Sequence, residues 1–248
     1  MMSNELIKRV KPKLLAMEGS MRKGYVPNVA GAEQSGVTIA KGLDLGQYSY
    51  TDLTDNLKLP TSLANKLQPY LRHQGVDAKA VIANKPLVIT PEEENIINEA
   101  VPRNELKKLK QNFEKTVGRP FEEEPLNVQE ALLLASFNLG SDADKESLFT
   151  LKNGKPSNFR KQIINRQYED AGKNLTTWSS NMADGLKKRR MTEGQLLSGD
   201  IDSDAFVDQL NVNLKTITQA NDPIQEAVQA VQQPTMQDLR MMVERNNF

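Results

Sequence analysis

The sequence predicts an α+β fold that is mainly α. Helical periodicities recur along most of the chain, only residues 25–47 carry the alternation of paired strands, and no internal repeat divides the 248 residues. A small ribbon followed by a bundle of helices implies two lobes. A cleft between lobes is the default place for a ligand.

The elements follow in order. From Ser3 to Met17, Leu6, Ile7, Val10, Leu14 and Leu15 fall at helical spacing, and Pro12 is expected to kink or split that helix. In "SGVTIAKGLDLGQ", Ser35–Gln47, Val37 and Ile39 alternate with Thr38 and Ala40 before Gly42 breaks the run. A straight strand would hold Thr38 and Asp44 roughly 20 Å apart. A turn at Gly42 lets them converge, since glycine accepts the positive φ that a hairpin requires. "ITPEEENIINEAV" opens a helix, with Thr90 as N-cap, Pro91 in the first position and Glu92, Glu93 and Glu94 in the first turn. Arg103–Thr116 reads as a separate helix. "NVQEALLLASFNLGS" has Asn127 as N-cap, Glu130 three residues on and Gly140 just past the end. Its apolar residues run all round, the mark of a buried central helix. "SNFRKQIINRQYEDAGKNLTTW" and "MADGLKKRRMTEGQLLSGD" complete the bundle as two more helices.

Beyond Asp200 the composition changes. Residues 201–248 are Gln/Asn-rich and carry a net charge of −4, against +4 for residues 1–200. Two short amphipathic patterns, at 224–231 and 236–243, are punctuated by Pro223 and Pro234. The expected division is a main domain at 1–200 and an acidic helical extension at 201–248, a surface for a possible protein partner.

Composition removes several function classes. With no cysteine and one histidine, His73, thiolate and His-rich metal sites are excluded and a Ser/His/Asp triad has little to be built from. His73 itself reads as a surface helix residue. No apolar run reaches the ~20 residues of a membrane span, and "MMSNELIKRVKPKLL" lacks the apolar stretch of a signal peptide. The protein is therefore expected to be made in the cytoplasm and to reach any extracytoplasmic substrate by release or delivery. The basic clusters are short and no nucleic-acid-binding motif occurs, so no nucleic-acid partner is expected.

A ribbon facing a bundle invites a search for paired carboxylates. Glu18 ends the first helix in "AMEGS", where an apolar setting would raise its pKa and suit a general acid. Asp44 stands across the proposed hairpin, and Thr38 could hold a water. Acids about 6.5–9.5 Å apart leave room for that water and suit inverting glycoside hydrolysis. Trp178, Asn138 and Gly140 read as packing and capping residues. The run Lys187, Lys188, Arg189 and Arg190 reads either as a solvated helix face or as cations reaching Glu18 or a substrate carboxyl.

Four segments, in order, resemble the phage-type lysozymes, and among them the pesticin-type muramidase domain. They are "LLAMEGS", "YVPNVAGAEQSGVTIAKGLDLGQ", "VITPEEENIINEAV" with "ALLLASFNLGS", and "WSSNMADGLKKRRMTEGQLLSGD". The resemblance covers about residues 3–200 and implies a lysozyme-like two-lobed fold. The T4-type spacing of the second acid lands on Ala32, beside Glu33, while the pesticin-type order matches Glu18, Thr38 and Asp44. Leu43 stands where the family often has histidine. The resemblance implies a muramidase acting on peptidoglycan glycan strands, with Glu18, Asp44 and Thr38 catalytic, Arg189 and Arg190 near substrate, and neither cofactor nor metal. A phage lysin is the setting this favours. A non-catalytic lysozyme-fold particle component, a lytic transglycosylase and a delivered antibacterial toxin are the alternatives.

Overall fold

Two hydrophobic cores form, and one helix belongs to both. The computed structural model describes residues 2–27, 34–142, 145–178 and 184–210. Helix α1 (Met2–Glu18) leads into a three-stranded antiparallel sheet of β1 (Met21–Tyr25), β2 (Thr38–Ala40) and β3 (Leu43–Asp44), in that spatial order. A 3-10 turn at Leu45–Gln47 and a π-helical turn at Asp52–Asn56 precede α2 (Thr61–Leu67) and α3 (Gly75–Asn84). The long α4 (Pro91–Val117) is followed by α5 (Leu126–Leu139), α6 (Asn158–Ile164), α7 (Tyr168–Thr177) and α8 (Asp184–Ser198).

The first core gathers Val37, Ile39, Leu43 and Leu45 from the ribbon with Leu63, Leu67 and Tyr70. The second gathers α1 and α5 with Phe113, Phe149, Phe159 and Leu196. Helix α4 gives Ile97 to the first and Leu106, Leu109 and Phe113 to the second. Its start is as the sequence predicts: Thr90 and Glu93 form a reciprocal capping box with Pro91 at the first position. Its length is not. The two helices expected at residues 90–116 are one, running through Pro102 to a left-handed Gly118. A proline in a helix interior costs ~3 kcal/mol and leaves the carbonyl four residues back without its donor. Packing into two cores outweighs that cost.

Local propensity is overruled elsewhere too. Helix α1 is continuous through Pro12, and the Lys13 ammonium donates to the Arg9 carbonyl at 3.0 Å. Asn127 does not cap α5, which starts at Leu126 after Pro125. Its amide donates instead to the Leu196 carbonyl on α8 at 3.0 Å. Gly140 does end α5 at a φ of 71°. The single helix expected over 157–178 breaks into α6 and α7, with Arg166 at a φ of 56° between them. His73 lies in the loop before α3 rather than on a helix.

The domain division expected at residue 200 falls inside packed structure. Residues 205–210 are helical, and Phe206 and Leu210 are buried in the second core. Glu130, expected to complete a cap, is fully buried. It pairs with Arg9, sits 3.1 Å from the Lys13 ammonium and accepts from the Ser203 hydroxyl at 2.6 Å. The two amphipathic patterns of the extension lie outside the described residues. A chain ending at Asp200 should lose at least about 3 kcal/mol by urea unfolding, the cost of deleting one buried phenylalanine. A chain ending at Leu210 should keep that stability.

Candidate active site

The site begins with the turn at Gly42. Gly42 takes a φ of +78°, and Thr38 pairs with Asp44 and Ile39 with Leu43 across the hairpin. The Leu45 amide donates to the Val37 carbonyl at 2.9 Å, which makes Thr38–Asp44 the intervening pair without backbone bonds between its members. Such pairs bring side chains closest, with Cα atoms about 4.5 Å apart. Period-two alternation sends Val37, Ile39, Leu43 and Leu45 into the core and Thr38 and Asp44 to the opposite face.

Asp44 is held by backbone. Its Oδ1 accepts from the Gly36 amide at 2.8 Å and from the Gly46 amide at 2.9 Å, capping the Leu45–Gln47 turn. Neither bond uses Oδ2. A Cβ added to Gly36 would meet the Gly46 amide at 2.3 Å and Asp44 Oδ1 at 2.6 Å, so this close approach requires glycine. The Thr38 side chain is buried, and its hydroxyl donates to the Gly36 carbonyl over a long 3.4 Å. Its cross-strand partner Asp44 has a second carboxylate oxygen outside both amide bonds.

Glu18 is the last residue of α1. Gly19 follows in the left-handed region, its amide closing the final turn on the Leu15 carbonyl at 3.0 Å. The side chain of Glu18 and all of Ala32 and Glu33 lie outside the described residues. Arg189 and Arg190 do not lie on a solvated face. Both are buried, at 6% and 0% exposure. Arg189 pairs with Glu193 and donates to the Leu134 carbonyl at 3.2 Å. Arg190 pairs with Glu193 and donates to Asn138 Oδ1 at 2.6 Å. Trp178 packs against Phe159 at 5.6 Å, and part of it borders a hollow of about 500 Å³ with Asn138 and Glu146.

A family profile described as Pesticin, a bacterial toxin homologue of phage lysozyme (C-terminal part), matches residues 10–169. The chain belongs to the pesticin family. No curated protein matches it in sequence. The mainly helical α+β architecture with its small antiparallel sheet is lysozyme-like, as the family requires.

In this pesticin-family chain one residue ties the site together that no motif marked. Asn98, buried on α4, accepts from the Lys41 backbone amide at 3.1 Å and donates to the Ser20 hydroxyl at 3.1 Å. Ser20 lies two residues after Glu18 and also bonds Glu94. Lys41 lies in the turn between Thr38 and Asp44. One amide therefore couples the end of α1 to the hairpin. Its sequence signal was slight, a polar residue beside apolar Ile97 in the middle of a helix.

Three groups near this framework are electrostatically displaced. Burial, with Lys11 nearby, lowers the Lys41 ammonium to about 8, against the pull of Glu94. Its Nζ donates to the Lys11 carbonyl at 3.0 Å. Burial pushes the Glu105 carboxyl above its ordinary range, opposed by Lys108, Ser136 and Ser141. Burial also raises Tyr48, helped by the negative charges of Glu105, Asp52 and Asp44. Glu105 is thus a further carboxyl that burial, rather than pattern, picks out. Among the described residues no group of acids and histidines could hold a metal ion.

Two outcomes follow. Asp44→Asn keeps an acceptor oxygen for both amides and should unfold within about 1 kcal/mol of the native chain, whereas Asp44→Ala strands both and should lose roughly 2–4 kcal/mol. Because Lys41 titrates at about 8 when folded and near 10.5 when unfolded, the unfolded chain binds more protons between those values. Stability should therefore rise as pH increases through that window. Lys41→Met should flatten the rise in denaturant titrations across pH.

Proposed function

We propose that this chain is a peptidoglycan muramidase. It hydrolyses the β-1,4 bond between N-acetylmuramic acid and N-acetylglucosamine. The observation that carries the reading is the Thr38–Asp44 pair on the face of the hairpin opposite the core, with Asp44 anchored among the described residues through Oδ1. Glu18 supplies the proton to the leaving oxygen. A water held by the Thr38 hydroxyl and Asp44 Oδ2 gives its hydroxide to the anomeric carbon and its proton to Asp44. Membership of a family described as homologous to phage lysozyme supports the same chemistry. An acid, an anchored water and a carboxylate form the inverting arrangement.

No helix among the described residues is long and apolar enough to cross a membrane. In this proposal the protein is made in the cytoplasm and reaches the wall by release, as a lysin, or by delivery, as a toxin. The family's description as a bacterial toxin homologue favours delivery as the second reading beside the phage lysin.

Digestion of purified peptidoglycan tests the reaction. The products should carry new reducing ends, with the α-anomer of muramic acid first by NMR. 1,6-Anhydro ends would mark a lytic transglycosylase, and no cleavage a non-catalytic relative. Glu18→Gln should reduce the rate ~10²–10⁴-fold without altering the fold. Full activity of that variant would remove Glu18 as the acid.

A further inference from the structure

The sheet places a third side chain in line with Thr38 and Asp44. Tyr25 of β1 pairs with Thr38 of β2, which pairs with Asp44 of β3, so the three stand in one row across the sheet. Residues directly opposite one another in antiparallel strands share a face. The preceding residue fixes which face. A Cβ on Gly24 would meet Leu87 at 3.0 Å, Val37 at 3.1 Å and Ile82 at 3.2 Å, so Gly24 points into the core. Tyr25 therefore points the other way. Its partner Thr38 is 5% exposed, yet the Tyr25 side chain is among the large apolar groups left open, at 41%. The middle of β1 is pinned from its other edge. The Gly24 amide donates to the Leu87 carbonyl and the Ile89 amide to the Arg22 carbonyl, each at 2.9 Å. An exposed ring is thus presented from a strand bonded on both edges.

We propose that Tyr25 is a sugar platform: its ring stacks on a pyranose of the glycan and seats the neighbouring bond over Thr38 and Asp44. This rests on the muramidase reading. In a β-linked gluco-configured pyranose the ring substituents are equatorial, so the axial C–H bonds form an apolar face that an aromatic ring can cover. The hydroxyls and acetamido groups at the rim stay hydrated. Tyrosine suits this task because it offers a large flat surface and few rotatable bonds to immobilise. Tyr25 is accordingly a specificity and binding residue, in contact with substrate but taking no part in proton transfer.

Calorimetric titration with a soluble tetrasaccharide of alternating N-acetylglucosamine and N-acetylmuramic acid tests the platform. The Asp44→Asn protein serves as the non-hydrolysing parent. Tyr25→Phe in that background should bind within about twofold of the parent, and Tyr25→Ala ~10-fold more weakly, as loss of a buried ring face requires. Because Tyr25 is exposed, both should unfold at temperatures close to the parent's. In the chain with Asp44 intact, Tyr25→Ala should raise KM and leave kcat nearly unchanged. Undiminished binding by Tyr25→Ala overturns the platform alone, and so does an equal loss in Tyr25→Phe, which would place the contact on the hydroxyl. Absence of binding by both the parent and the unaltered protein overturns the platform and the muramidase reading together.

Discussion

The side-chain amide of Asn98 is the contact on which the arrangement of the candidate site depends. Its two ends bond segments on different elements, the start of the α1–β1 connection at Ser20 and the hairpin turn at Lys41. Glu18 lies just before the first segment, and Thr38 and Asp44 flank the second. An amide can do this where a hydrocarbon or a carboxylate cannot, because it presents a donor and an acceptor a fixed distance apart. Its burial excludes competing water and makes both bonds costly to break. The helix that carries Asn98 is itself held by two cores, so the amide is positioned by packing on both sides.

In the proposed muramidase Asp44 can combine structural and chemical duties because it has two oxygens. Oδ1 closes the Gly36–Gly46 approach and caps the turn that follows. Oδ2 takes part in neither of these bonds. A carboxylate fixed by backbone amides needs no reorganisation to receive a water, which is the preorganisation that sites of this kind require. The same division explains why Gly36 and Gly46 matter as much as the acid. Each lacks the Cβ that would otherwise force these two segments apart.

The second core has its own polar anchor. Fully buried Glu130 collects Arg9, Lys13 and Ser203, and so draws residues beyond 200 onto α1 and α5. A buried carboxylate is tolerated only when paired and hydrogen-bonded, and here cations and a hydroxyl surround it. Glu193 serves Arg189 and Arg190 in the same way on α8. Of the four charges that look like a solvated run in the sequence, Arg189 and Arg190 form interior ion pairs, while Lys187 is exposed.

Much was legible before any coordinates. Periodicity and capping chemistry are local, so the N-cap at Thr90, the glycine end of α5 and the hairpin at Gly42 could be read directly. The Thr38–Asp44 convergence belongs with them, because a tight turn converts sequence spacing into cross-strand pairing. What sequence could not decide depends on contacts between distant residues. Pro12 and Pro102 break helices by local rule, yet both helices run through because their packing is worth more than the missing bonds. Asn127 left its cap for a carbonyl on α8 sixty-nine residues away. Burial of Arg190, the placement of Phe206 and the bridge made by Asn98 are likewise sums over neighbours from several elements. The sequence alone determined the fold class, the family and the hairpin pair. Only the tertiary structure decided which polar residues are buried and what they hold, since burial is a property of the assembled surface and not of any segment.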